Sequence, residues 1–320
     1  RSRHSSRSGR TITRDVTPID SASIYATGSF GRFEASEGSD LDAFVVGCPR
    51  AGFDDRGLSR LDQKVLIGRI IEVARRLNFP EFDGDGEYIR YYSAEEITKN
   101  IGTPEDEIQN TFTARLLLLL ESSPIGSPNV HKRVLDDVID LYWRDYHDWS
   151  SSFRPTFLIN DILKYWRLLC VDYEAKMTIN HDGHEARKRQ RRIKNLKLRY
   201  NRIMNCFSAI AALCSEYSLR GTIDKDAARS ICETSPTERL LNVAKTSEDD
   251  TVTGRVEKIL TSYDRFLELS AQGKAKLIAK LEQPAMFAEE RAAADVFGTD
   301  FYELIRLRSQ GSDLFRYLVI

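Results

Sequence analysis

The chain has 320 residues, long enough for two domains, and its 41% hydrophobic content supplies ample core. Lys+Arg 47 nearly balance Asp+Glu 48, so no global field selects nucleic acid or an anionic membrane, and any such preference must come from a local patch. Five scattered cysteines without a CxxC pair argue against a disulfide framework or zinc site and for a reducing cytoplasm, and apolar runs such as Leu116 to Leu120 are far too short for a membrane span.

In chain order, the Ser/Arg-rich opening has no apolar h-region, and residues 1–15 read as a disordered basic tail. Ile24 to Ala26 is a short β-type run that breaks at Thr27-Gly28-Ser29. Leu41 to Val46 is a second, closed by Gly47 and Pro49. Leu58, Leu61, Val65, Ile70, Val73 and Leu77 fall at helical spacings and predict an amphipathic helix covering one face of a sheet. Gly86 to Tyr92 reads as a third strand. Ser93-x-x-Glu96 is a capping-box start, and Thr103-Pro104 predicts the N-terminus of one long helix through Glu121. Beyond it the patterning is helical to the end, with breaks near Gly183, Gly221, Pro236, Gly254, Gly273, Pro284 and Gly298. The expected class is α+β: a small mixed sheet with flanking helices over residues 16–125, then an all-helical region over 126–320.

Chemistry concentrates between Gly28 and Asp42. A strand that ends in Gly28-Ser29 and opens toward a helix offers backbone N–H groups and a hydroxyl suited to phosphate oxygens, and glycines at 28 and 31 allow close approach. Asp40 and Asp42 stand two apart on the following strand, so their carboxylates share a face. Two hard oxygen ligands of this kind suit Mg²⁺ (or Mn²⁺) together with substrate phosphates.

The run GSFGRFEASEGSDLDAFVV resembles the nucleotidyltransferase superfamily that includes DNA polymerase beta. It is most similar to the branch containing the uridylyltransferase of the PII signal protein and its bacterial relatives. A weaker similarity continues through Ile89 and Thr113-Ala114-Arg115-Leu116. The resemblance implies transfer of a nucleoside monophosphate from an NTP to a hydroxyl-type acceptor: a protein side chain, an RNA end or a small molecule. It assigns Gly28 and Ser29 to the nucleotide's phosphates, and Asp40, Asp42 and a third acid to two metal ions. Asp83, Asp85 and Glu87 are the candidates for that acid, and Asp85, at the strand entry, is chosen. The alternative is a catalytically weak nucleotide-binding scaffold or sensor on the same fold.

Arg32 either neutralises phosphate or pairs with Glu34 or Glu37. Ala186 to Arg202 holds nine Lys/Arg and no acid. It reads as a solvated face or as phosphate contact, with Lys194 and Lys197 chosen for the triphosphate and Arg187 to Arg192 as the candidate RNA contact. His181 and His184 lack further metal ligands and read as a polar loop, and Trp143, Tyr146, Trp149, Phe153, Tyr165 and Trp166 read as packing residues.

Overall fold

The computed structural model describes residues 21–36, 39–48, 57–82, 89–179 and 184–319. The expected tail, the acids Asp83, Asp85 and Glu87, Gly183, His181 and the side chain of His184 lie outside the described residues.

Four strands form one mixed sheet: β1 (Ala22–Thr27), β2 (Asp42–Gly47), β3 (Tyr91–Ser93) and β4 (Ser123–Gly126), in the order β3-β2-β1-β4. β1 pairs antiparallel with both β2 and β4, and β2 pairs parallel with β3. Pro124 lies in β4 at the sheet's edge, where its missing N–H costs little. Strand alternation sorts the side chains by face. Tyr25, Phe44 and Val46 enter the large core beneath the helices, with Tyr25 stacked on Phe44 at 5.5 Å. Ala22, Ile24 and Val45 turn to the opposite face and meet Leu66 and Ile70 of α2 (Arg60–Arg76).

Helix α1 (Gly28–Gly31) follows β1 directly, and α3 (Ala94–Lys99) opens on the expected capping box of Ser93 and Glu96. The long helix predicted from Thr103 is two: α4 (Pro104–Ile108) and α5 (Thr111–Glu121). Asn110 breaks it with φ 56°, a left-handed conformation that asparagine tolerates better than most residues. The leucine run of α5 is wholly buried. Arg115 beside it is held by Asp106, Tyr142 and the Ile97 carbonyl, which satisfies a charge placed deep in the core.

The remainder is helical: α6 (Pro128–Tyr142), α7 (Tyr146–Trp149), α8 (Thr156–Ile179), α9 (His184–Lys197), a π-helical turn (Leu198–Arg202), α10 (Ile203–Arg220), α11 (Lys225–Glu233), α12 (Pro236–Lys245), α13 (Asp250–Ala271), α14 (Lys274–Glu282), α15 (Pro284–Ser309) and α16 (Leu314–Val319). Gly221, Pro236, Gly273 and Pro284 mark helix ends as expected. Gly254 and Gly298 do not. They lie inside α13 and α15, because one glycine costs a helix only about 1 kcal/mol and tertiary packing outweighs it. A single core cluster runs from Tyr25 and Phe44 on the sheet through α5 to Phe297 of α15 and Leu314 of α16, so the hydrophobic interior is continuous across residue 125. Trp143, Phe153 and Tyr165 belong to this core, while Trp149 is exposed. Among the described residues no helix is long and apolar enough to cross a membrane.

Candidate active site

The β1–α1 turn fixes the geometry of the site. Gly28 has φ +63°, and a Cβ there would sit 2.7 Å from Asp42 Oδ2. The antiparallel register explains this proximity, since Thr27 and Asp42 are cross-strand partners at the mouth of the β1–β2 pair. Asp42 therefore leans over the turn and remains exposed, with Asp40 exposed two residues before it. Ser29 is half-buried beside them. Gly31 serves packing: a Cβ there would lie 1.9 Å from the Glu121 carbonyl oxygen, so only glycine lets α1 sit against the end of α5.

Arg32 is buried. It donates from Nε to Glu34 Oε2 at 2.7 Å and from Nη1 to Glu121 Oε2 at 2.5 Å. Of the two readings open for this residue, the structure places it in an ion pair, with Glu34 and the unforeseen Glu121 as partners. Tyr263 of α13 donates to the same Glu34 oxygen at 2.8 Å. Glu121 also accepts from Arg202 Nη1 at 3.0 Å. Burial alone would raise the Glu121 carboxyl, but Arg32 and Arg202 outweigh it and hold the group below the ordinary glutamate range. Arg202 is shifted upward for the reciprocal reason, Glu121 outweighing the burial that would lower it.

Of these groups Asp42, Glu121 and Arg202 border a cleft of about 470 Å³ between the sheet and α8. Thr27 and Asp42 form one side and Arg202 and Asp172 another, while Phe44, Phe82, Leu117 and Leu168 supply apolar wall. Such a mixture suits a ligand with a flat apolar part and a charged part. Arg202 closes a π-helical turn, an irregularity often found where a helix aims a side chain into a site.

Lys194 and Lys197 are exposed on α9 and do not line this cleft. Other cations of the basic segment are engaged inside the fold. Arg192 donates to the Leu281 and Glu282 carbonyls at the end of α14, where the helix dipole favours a cation, and Arg199 pairs with Asp295 of α15. The side chains of 184–190 are outside the description, and so is the chosen third acid, Asp85. Among the described residues no cluster of three or more metal-ligating side chains forms. Sequence reasoning missed Glu121, Asp172 and Tyr263. It included Arg202 only as the last cation of a long basic run, since a π turn leaves no composition signal. No protein family, no curated protein and no solved structure matches the chain.

Proposed function

We propose that this chain is a metal-dependent nucleotidyltransferase that moves a nucleoside monophosphate from an NTP to a hydroxyl acceptor. One observation carries the reading: the register of β1 and β2 sets Asp42 directly over the Gly28 turn, at the mouth of a cleft that Arg202, Glu121 and Asp172 line on one side and apolar side chains on another. The donor set fits a hard divalent cation, because Asp40 and Asp42 are exposed carboxylates two residues apart where the chain enters β2. Asp40 and Asp42 would hold Mg²⁺ (or Mn²⁺), with an acid of the 83–87 segment as third ligand. When bound, the metal neutralises charge at the attacking and leaving oxygens.

The chain's own residues position the nucleotide. At the turn the Gly28 backbone and the Ser29 hydroxyl meet the phosphates. Arg202, aimed by Glu121, supplies the cation opposite, in the role first given to Lys194 and Lys197. Phe44, Phe82 and Leu168 receive the base. The acceptor oxygen forms a bond to the α-phosphorus, the α–β bridging bond breaks, pyrophosphate leaves, and the acceptor proton passes to solvent.

The test uses each α-labelled NTP with Mg²⁺ or Mn²⁺ and a cell extract. Label entering protein or RNA with the wild type, and not with Asp42→Asn, is the expected result. Binding of a fluorescent NTP analogue without transfer under any condition would establish the scaffold instead. Absence of both would end the nucleotide reading.

A further inference from the structure

The second face of the sheet carries an apolar groove of about 650 Å³ that the nucleotide reading does not use. Its walls are α2 on one side and the α1 turn with β4 on the other. On α2, Leu61, Val65, Arg69, Val73 and Leu77 recur every four residues along one stripe, and the four apolar members are exposed, Leu61 at 76% and Leu77 at 64%. Of the residues that the sequence predicts to cover the sheet, Leu58 and Ile70 do so, joined by Leu66 and Ala74, while Leu61, Val65, Val73 and Leu77 turn outward. Phe33 stands at the groove's other lip, 77% exposed and at φ 61°. A bulky residue in left-handed backbone with its ring in water is disfavoured on both counts, a combination that collects at binding sites.

Two observations say what covers this face. The groove and the nucleotide cleft share Leu41 and Ala43, the neighbours of Asp42 on either side, so the two hollows meet at the aspartate. Arg69, midway along the stripe, is the only charged residue lining the groove among the described residues. A nucleic acid needs several cations along its backbone, and one does not suffice. A second copy packed α2 on α2 about a two-fold axis would set Arg69 against its own image at the centre of the contact.

We propose that the groove docks the acceptor, and that the acceptor is a protein presenting an apolar segment with a carboxylate for Arg69. This rests on the nucleotidyltransferase reading. A segment seated there brings a nearby hydroxyl to Asp42 from the side opposite the nucleotide. Its oxygen bonds to the NTP α-phosphorus, pyrophosphate departs, and the hydroxyl proton goes to water.

The test takes the full chain with Arg69→Glu and Val73→Asp, exposed positions outside the nucleotide cleft, with circular dichroism to confirm folding. The probes are a fluorescein-labelled leucine–glutamate peptide of helical periodicity and its leucine–lysine twin. The wild type is expected to prefer the glutamate peptide, Arg69→Glu to reverse that preference, and Val73→Asp to weaken both by about tenfold. Label entering protein from the NTP should fall by about tenfold in both variants while affinity for the fluorescent NTP analogue stays unchanged. Peptide affinities that do not respond to either variant would overturn the proposal. So would a wild-type dimer that Val73→Asp dissolves, or label that enters RNA and falls with Arg69→Glu. A wild type that binds the peptides but no nucleotide would refute the enzymatic reading on its own. If Val73→Asp does not fold, the Arg69→Glu reversal decides the outcome.

Discussion

At the scale of single residues, Glu121 joins the Arg32 cap of α1 to the π turn of Arg202. Its carboxylate is buried, so removing its charge takes the ion-pair partner from Arg202 and leaves Arg32 with Glu34 alone. Glu121→Gln is expected to destabilise the protein by about 3–5 kcal/mol at neutral pH, measured by urea unfolding. The sign with pH follows from the lowered folded value. The stabilisation is complete above the ordinary glutamate range, near 4.5, and is lost as pH falls through the lower folded value. Wild type and variant should therefore converge in stability only in strong acid. A gap that stays constant from neutral pH to acid would show that the charge is not what stabilises. The glycine turn offers a second comparison. Gly28→Ala adds a Cβ at positive φ and 2.7 Å from Asp42 Oδ2, whereas Ser29→Ala removes one hydroxyl from a half-buried site. Gly28→Ala is expected to lower transfer far more than Ser29→Ala. Equal activity in the two variants would separate the turn from the chemistry.

At the scale of elements, glycines of one composition class play opposite parts. Gly31 is enforced by the backbone of α5 passing where a Cβ would be, so Gly31→Ala must push α1 off the end of α5 and lower the melting temperature. Gly254 lies in the interior of α13 with nothing within 4 Å of its would-be Cβ, so Gly254→Ala should raise stability by about 0.5–1 kcal/mol. Calorimetry on the pair checks both signs, and a stabilised Gly31→Ala would contradict the packing of α1 on α5. The break at Asn110 belongs to the same scale. Thr103 and Pro104 start a helix as their types require, but the core position of α5 decides where it resumes, and Asn110 supplies the left-handed joint.

At the scale of the whole molecule, one hydrophobic cluster joins the sheet to the helices, and a buried histidine ties stability to pH. His131 on α6 packs edge-on to Tyr25 and contacts the Ser122 hydroxyl at 2.8 Å, and burial lowers its pKa from 6.5 to about 4. The folded state thus keeps it neutral while the unfolded chain takes up a proton. Stability from this group is complete above pH 6.5 and declines as pH falls toward 4, by at most about 3 kcal/mol. His131→Asn should flatten unfolding free energy over that window. A slope identical to wild type would place the acid sensitivity elsewhere.

The sequence alone determined what depends on neighbours along the chain. Local rules were enough for the β1–turn–β2 order around Gly28 and Asp42, the capping box at Ser93, the helix ends at Gly221 and Pro236, and the burial of the leucine run, because caps, turns and periodicity act over a few residues. The tertiary structure decided which charges face the cleft. Lys194, Lys197 and Arg202 look alike in a basic run, but a π turn and the buried Glu121 select Arg202, while the C-terminus of α14 and Asp295 take Arg192 and Arg199. It also decided which side of α2 meets the sheet. Leucine and valine recur on more than one face of that helix, and only packing on the strands beneath chooses Leu66 and Ile70 and leaves Leu61 and Leu77 to solvent. Selection among equivalent residues needs contacts from distant segments, and no local pattern encodes them.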